Sequence, residues 1–170
     1  MQRKFLALLL IVSAFLALGC ATSDSGEEDM VSETDSQADA AELYTQITED
    51  DDYGQWELMP GTEEMSPGQG VHGEMITVYV SDDAFSALEN NESVMPDGSI
   101  VLKEGYNSEG ELQEIVIMQK IDGYDPENND WFWATYSADG EVVSEGRLSV
   151  CYDCHSGAEG GDYIYTNDPG

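Results

Sequence analysis

Trp131-Phe132-Trp133-Ala134-Thr135-Tyr136, then Ala138-Asp139-Gly140, then Glu141-Val142-Val143, reads as two strands joined by a hairpin turn. Aromatic and β-branched side chains suit a pleated surface, and Asp-Gly supplies the backbone torsions of a tight reversal. Similar runs precede it. Leu112 to Ile121 forms a long strand, Ser99 to Glu104 another, and Met75 to Val80 a third, with turns at Met95-Pro96-Asp97-Gly98 and from Asn107 to Gly110. Trp56-Glu57-Leu58-Met59 is a first strand or a pocket edge, and Gly61 to Gly73 and Asp125 to Asn129 are loops. Ser81, followed by Asp82 and Asp83, is placed to cap a helix running to about Glu89. Short connections between strands imply antiparallel pairing, so the expected fold is mainly β with a few helices (α+β), an antiparallel sheet domain.

Downstream of this hairpin lies Cys151-Tyr152-Asp153-Cys154-His155. Two thiols spaced by two residues, with a histidine after the second, are what covalent attachment of haem through both vinyl groups requires, the histidine becoming the proximal iron ligand. One covalently held haem c is therefore expected, on Cys151 and Cys154 with His155 on iron. A redox dithiol would sit near the start of a βαβ unit rather than at the end of a strand-rich chain. A structural zinc would need two further ligands, for which only His72 and Cys20 remain.

Attachment of haem c demands export, and the N-terminus is built for it. Gln2, Arg3 and Lys4 form a positive start, and Phe5 to Leu18 an apolar segment too short for a comfortable membrane span. Leu16-Ala17-Leu18-Gly19-Cys20 looks like a bacterial lipobox, although Ala17 and Leu18 stand in the reverse of the usual order. Residues 1–19 are thus expected to be a lipoprotein-type signal peptide, with Cys20 acylated and the protein anchored outside the cytoplasm, in the periplasm. Ordinary secretion with Cys20 unmodified is the alternative.

The 170 residues carry a formal net charge of −31, and beyond the signal the only basic residues are Lys103, Lys120 and Arg147. Nucleic acid and anionic headgroups need dense cationic surface, so neither is expected as a partner, and the membrane is reached only through the lipid anchor. Residues 20–52, with Glu27-Glu28-Asp29 and the acidic run from Glu49 to Asp52, read as a disordered tether, with a short helix around Ala38 to Ile47 capping the domain. The haem domain is expected over 53–170.

Opposite the proximal ligand, His72 and several methionines, including Met75, Met95 and Met118, are available as sixth ligands. The methionines sit in apolar strands or beside a turn and read as core, so an open sixth position is preferred. Alternation in Ile100-Val101-Leu102-Lys103-Glu104 puts Lys103 on the face of Val101, and Glu104 on that of Leu102 and Ile100. Scarce lysines are candidates for specific roles; a surface position on an edge strand is the plainer reading of Lys103, and Lys120 shares the ambiguity.

His72-Gly73, Tyr79-Val80, Pro96-Asp97-Gly98-Ser99, Val101-Leu102-Lys103-Glu104, Met118-Gln119-Lys120, Asp130-Trp131-Phe132-Trp133-Ala134, the Cys151 to His155 pentapeptide and Asp162-Tyr163 occur in this order. In this the chain resembles the cytochrome P-460 family, from about Trp56 to Thr166. The resemblance implies an antiparallel β fold, a homodimer, and a c-type haem with an open distal site. It further implies a small nitrogenous ligand, hydroxylamine oxidised to nitrous oxide, and a redox partner protein. In hydroxylamine-oxidising members a lysine is joined covalently to the haem edge, and Lys103 matches it, with Leu102 where valine is common. A distal carboxylate is implied as well, for which Glu104 and Glu145 are candidates; Val150 suggests apolar surroundings near Cys151. The related cytochromes c′-beta share the fold but have an apolar distal pocket and bind nitric oxide. A nitric-oxide binder or a simple electron carrier are therefore the alternatives to an enzyme.

Overall fold

A computed structural model describes residues 38–68, 71–158 and 161–165. The signal segment, Cys20 and the acidic stretch as far as residue 37 lie outside the described residues. The strands are β1 (Glu57–Leu58), β2 (Ser66–Pro67), β3 (Met75–Val80), β4 (Ile100–Tyr106), β5 (Leu112–Lys120), β6 (Trp131–Ser137) and β7 (Val142–Gly146). They form a seven-stranded sheet in the order β1-β3-β4-β5-β6-β7, with β2 also pairing β3. Every pairing is antiparallel. The expected mainly β, α+β architecture is what the chain adopts.

Alternation and register together divide the sheet into two faces. Val78 lies opposite Lys103, Lys103 opposite Val116, and Val116 opposite Thr135, so these four share one face. One residue along, Tyr79 lies opposite Leu102, Leu102 opposite Ile117 and Ile117 opposite Ala134, which share the other. Each face carries its own core. On the first, Val80, Val101, Met118 and Trp133 pack with Ala84 and Ala87 of α2 (Asp82–Glu89) and with Ile164. On the second, Leu102, Ile117, Phe132 and Tyr136 pack with Ala40, Leu43 and Ile47. Each large aliphatic side chain so buried contributes about 1.5–3 kcal/mol.

Ala40 and Leu43 belong to α1 (Ala40–Thr45), which runs on into a wider turn over Gln46–Asp50. Asp39 starts this helix, its Oδ1 accepting from the Glu42 N–H at 2.9 Å. Two bonds fasten it to the sheet: the Tyr136 hydroxyl donates to the Ala40 carbonyl (2.8 Å), and the Ala40 N–H donates to Glu145 Oε2 (2.7 Å). The expected tether therefore stops short of residue 52, because Ala40 and Ile47 are wholly buried. The short capping helix expected around Ala38 to Ile47 is present, and the second face buries its apolar side.

Smaller differences concern the sheet and α2. β4 continues past Glu104 to Tyr106, and Ser66–Pro67 inside the expected loop pairs with β3. Ser81 does occupy the N-cap of α2, yet its hydroxyl makes no cap bond and instead accepts from the Ile100 N–H at 3.0 Å, linking α2 to β4.

Candidate functional site

The chain leaves β7 and turns into α3 (Ser149–His155), packed on the first face. Residues three and four apart on a helix share one side, so Cys151, Cys154 and His155 project together. Both cysteines are free thiols, Cys151 half-buried and Cys154 exposed. Burial, and then the neighbouring Cys154, push the Cys151 thiol up to about 11. Such a thiol is protonated at neutral pH, unlike the activated cysteine of a redox dithiol.

His155 Nδ1 lies 2.8 Å from the Tyr163 carbonyl oxygen. A carbonyl only accepts, so Nδ1 carries the hydrogen and Nε2 is left with its lone pair. Burial lowers the imidazole pKa, as does the charge of Lys103, against the opposing effect of the Tyr163 bond. The ring is therefore neutral, the state a metal ligand requires. Trp133 meets it edge-on at 4.8 Å between centroids, Tyr165 at 5.2 Å and His72 at 6.4 Å.

Two cavities open beside this histidine. One, of about 450 Å³, is lined by Met59, Ile76, Val101, Lys103, Met118 and His155. The other, of about 240 Å³, is lined by His72, Glu114, Trp133, Cys151 and Cys154, and again by Lys103 and His155. Lys103 is brought there by its place between Val78 and Val116 in the sheet. Met95 and Met118 are core residues, as expected, and Met118 also floors the larger cavity.

Two carboxylates that the sequence reading missed line these cavities, Glu63 the larger and, beside both cysteines, Glu114 the smaller. Glu114 lies opposite Gly105, hence on the face of Lys103, and burial raises its pKa while Lys103 lowers it. His72 Nδ1 stands 3.6 Å from Glu114 Oε1. Burial first, then Lys103 and His155, bring His72 down to about 4. His72 is thus neutral at pH 7, and its contact with Glu114 is dipolar rather than ionic.

The two carboxylates expected to serve the site lie elsewhere. Glu104 points to the opposite face, where it accepts from the Tyr53 hydroxyl at 2.9 Å and the Tyr106 hydroxyl at 2.5 Å. Glu145, opposite Ala134, also faces that side and holds the start of α1. Neither lines a cavity with His155. Alternation alone carries Glu104 away from its neighbour Lys103.

A haem group fits what is present. The cavities lie within, or just below, the range of about 300–1,000 Å³ usual for bound small molecules. Trp133, 1% exposed, directs an indole N–H to which no acceptor is offered among the described residues. A buried donor of this kind calls for an acceptor on a bound group. Cys151, Cys154 and His155 would hold such a group, with Lys103 and Trp133 against it.

Among the described residues no helix is long and apolar enough to cross a membrane. A sequence-family model described as Cytochrome P460 matches residues 50–166. Comparison with curated proteins finds no match.

Proposed function

Because the chain belongs to the cytochrome P460 family, and is accordingly a haem-binding cytochrome, we propose that it carries its haem as haem c and oxidises hydroxylamine or a related nitrogen oxide. One observation carries this reading: Lys103, Glu114, His72 and His155 line the same cavity on one face of the sheet. Haem bound there supplies an iron centre able to take up a nitrogenous ligand and pass on its electrons.

The residues have distinct parts. Cys151 and Cys154 would form the thioether attachments of a single haem, and the Nε2 lone pair of His155 would bind its iron. Lys103, which lines both cavities, is the residue that would carry a covalent bond to the haem. Glu114, partly desolvated and with a raised pKa, accepts the proton that the substrate must lose at each oxidation. His72, neutral at pH 7, orients that carboxylate. Oxidation of hydroxylamine to nitrous oxide releases protons and electrons in equal number. The protons leave through Glu114 and the electrons pass to a redox partner protein. The protein works as a homodimer outside the cytoplasm, exported by residues 1–19 and tethered by an acyl chain on Cys20.

A second reading has its own support. On the larger cavity Met59, Ile76, Val78, Val101, Met118 and Ile164 form an apolar part of the lining that suits nitric oxide, beside the charged Glu63 and Lys103. Intact mass and tryptic mapping of protein matured with haem in a periplasm separate the two. A peptide bearing Lys103 that stays joined to the haem and to the Cys151–Cys154 peptide supports the enzyme. Haem on both cysteines with Lys103 released supports a nitric-oxide binder, and no attached haem ends both readings.

A further inference from the structure

The segment Gly161-Asp162-Tyr163-Ile164, whose Ile164 lines the larger cavity, closes a tight turn, with the Ile164 N–H donating to the Gly161 carbonyl at 2.9 Å. Its central residues are left-handed, Asp162 at φ 46 and Tyr163 at φ 65. For residues with a Cβ this conformation is strained and persists only where the surroundings enforce it. Those surroundings are unusually complete. Lys120 Nζ donates to both carboxylate oxygens of Asp162 at 2.8 Å and to the Asn129 carbonyl at 2.7 Å. The Met95 N–H donates to Asp162 Oδ2 at 2.7 Å, and the Trp131 indole N–H to the Asp162 carbonyl at 2.9 Å. The ion pair is almost wholly buried, its side chains 9% and 2% exposed, and Lys120 Nζ lies 5.0 Å from the Trp131 ring centre.

What this clamp holds in place is the next peptide. The Tyr163 carbonyl accepts from His155 Nδ1, so the orientation of one backbone oxygen sets the tautomer and angle of the imidazole. Buried ion pairs rarely add net stability over a hydrophobic replacement, so a role in specificity is the better explanation of this one. We propose that Lys120 and Asp162, with Trp131, are positioning residues that lock the left-handed turn and aim His155 Nε2 at the metal. The inference rests on the reading of His155 as the axial ligand. It gives Lys120 and the Asp162-Tyr163 pair a task that the cavity chemistry leaves unassigned.

The test uses haem-loaded protein and measures the iron–histidine stretching band of the ferrous form together with the midpoint potential. A carbonyl held on Nδ1–H makes imidazole a stronger donor and favours ferric iron. Asp162→Asn and the double variant Lys120→Met/Asp162→Asn should therefore move the band to lower frequency and raise the potential. Val80→Ala, a core deletion on the same face, should lower thermal stability and leave both signals in place. Folded, haem-loaded charge variants with the band and potential of the parent would overturn the clamp. Should neither charge variant accumulate as folded protein, Trp131→Phe removes the indole N–H that donates to the Asp162 carbonyl and, at 3.3 Å, to its Oδ1, and is judged by the same rule. A parent without haem on Cys151 and Cys154, or without an iron–histidine band, overturns the underlying reading and the inference with it.

Discussion

Lys103 and Glu104 are consecutive residues, yet they belong to regions of opposite character. Lys103 looks into two cavities and exerts its charge on His72, Glu114 and His155. Glu104 is 8% exposed and closed in by the Tyr53 and Tyr106 hydroxyls beneath a core that α1 completes. One sheet thus has a face that leaves space and titratable groups for a ligand, and a face that is filled and hydrogen-bonded. Polarity does not separate them, since each carries an ionisable strand residue. What differs is that Lys103 borders two cavities, whereas Glu104 is closed in by tyrosine hydroxyls.

The sharpest way to break the comparison is Glu114→Gln. If the first face is the working one, hydroxylamine turnover should fall about 100- to 10,000-fold while the thermal midpoint barely moves. A base acts when deprotonated, and the Glu114 pKa is raised above 4.5, so parental activity should be lost on acidification at a pH above that value. Steady-state rates across pH check both statements; an unchanged rate in the variant assigns the proton to another group.

Leu102→Ala tests the closed face. Leu102 is fully buried, so urea unfolding should report a loss of about 2–5 kcal/mol, with the haem content of the folded fraction unchanged. Loss of haem at preserved stability would show the faces to be coupled.

Glu104→Gln discriminates most directly against the sequence expectation. Weakening the bonds from Tyr53 and Tyr106 should cost about 1–3 kcal/mol of stability and leave turnover per folded molecule intact. The same cluster predicts an alkaline limit. Burial, and then Glu104, raise the Tyr53 pKa above its unfolded value of about 10, and burial does the same for Tyr106. Their contribution to stability is complete below pH 10 and is lost as pH rises through the folded values; thermal melts between pH 8 and 12 would show it.

The smallest expected effect is Asp39→Ala, about 1 kcal/mol by urea unfolding, through loss of the bond to the Glu42 N–H. A null result would mean that burial of Leu43 and Ile47 alone seats α1.

Much of this was legible in the order of residues, because strands and helix faces obey local periodicity. Alternation assigned Lys103 to the face of Val101 and separated it from Glu104 before any fold was known. The spacing of Cys151, Cys154 and His155 marked them as a haem-attachment motif, and β-branched and aromatic runs marked the main strands. Glu114 could have been reached by the same alternation, being two residues before Val116, had the partner of Lys103 been known. That partner is a matter of register, which pairs residues far apart in the chain and which no short window contains. The seating of α1 on the second face, the role of Glu145 in holding it, and the convergence of Lys120, Trp131 and Asp162 behind His155 depend likewise on contacts between distant segments. Local pattern determined which residues could share a surface; only tertiary packing decided which surfaces were filled from within and which were left to receive a ligand.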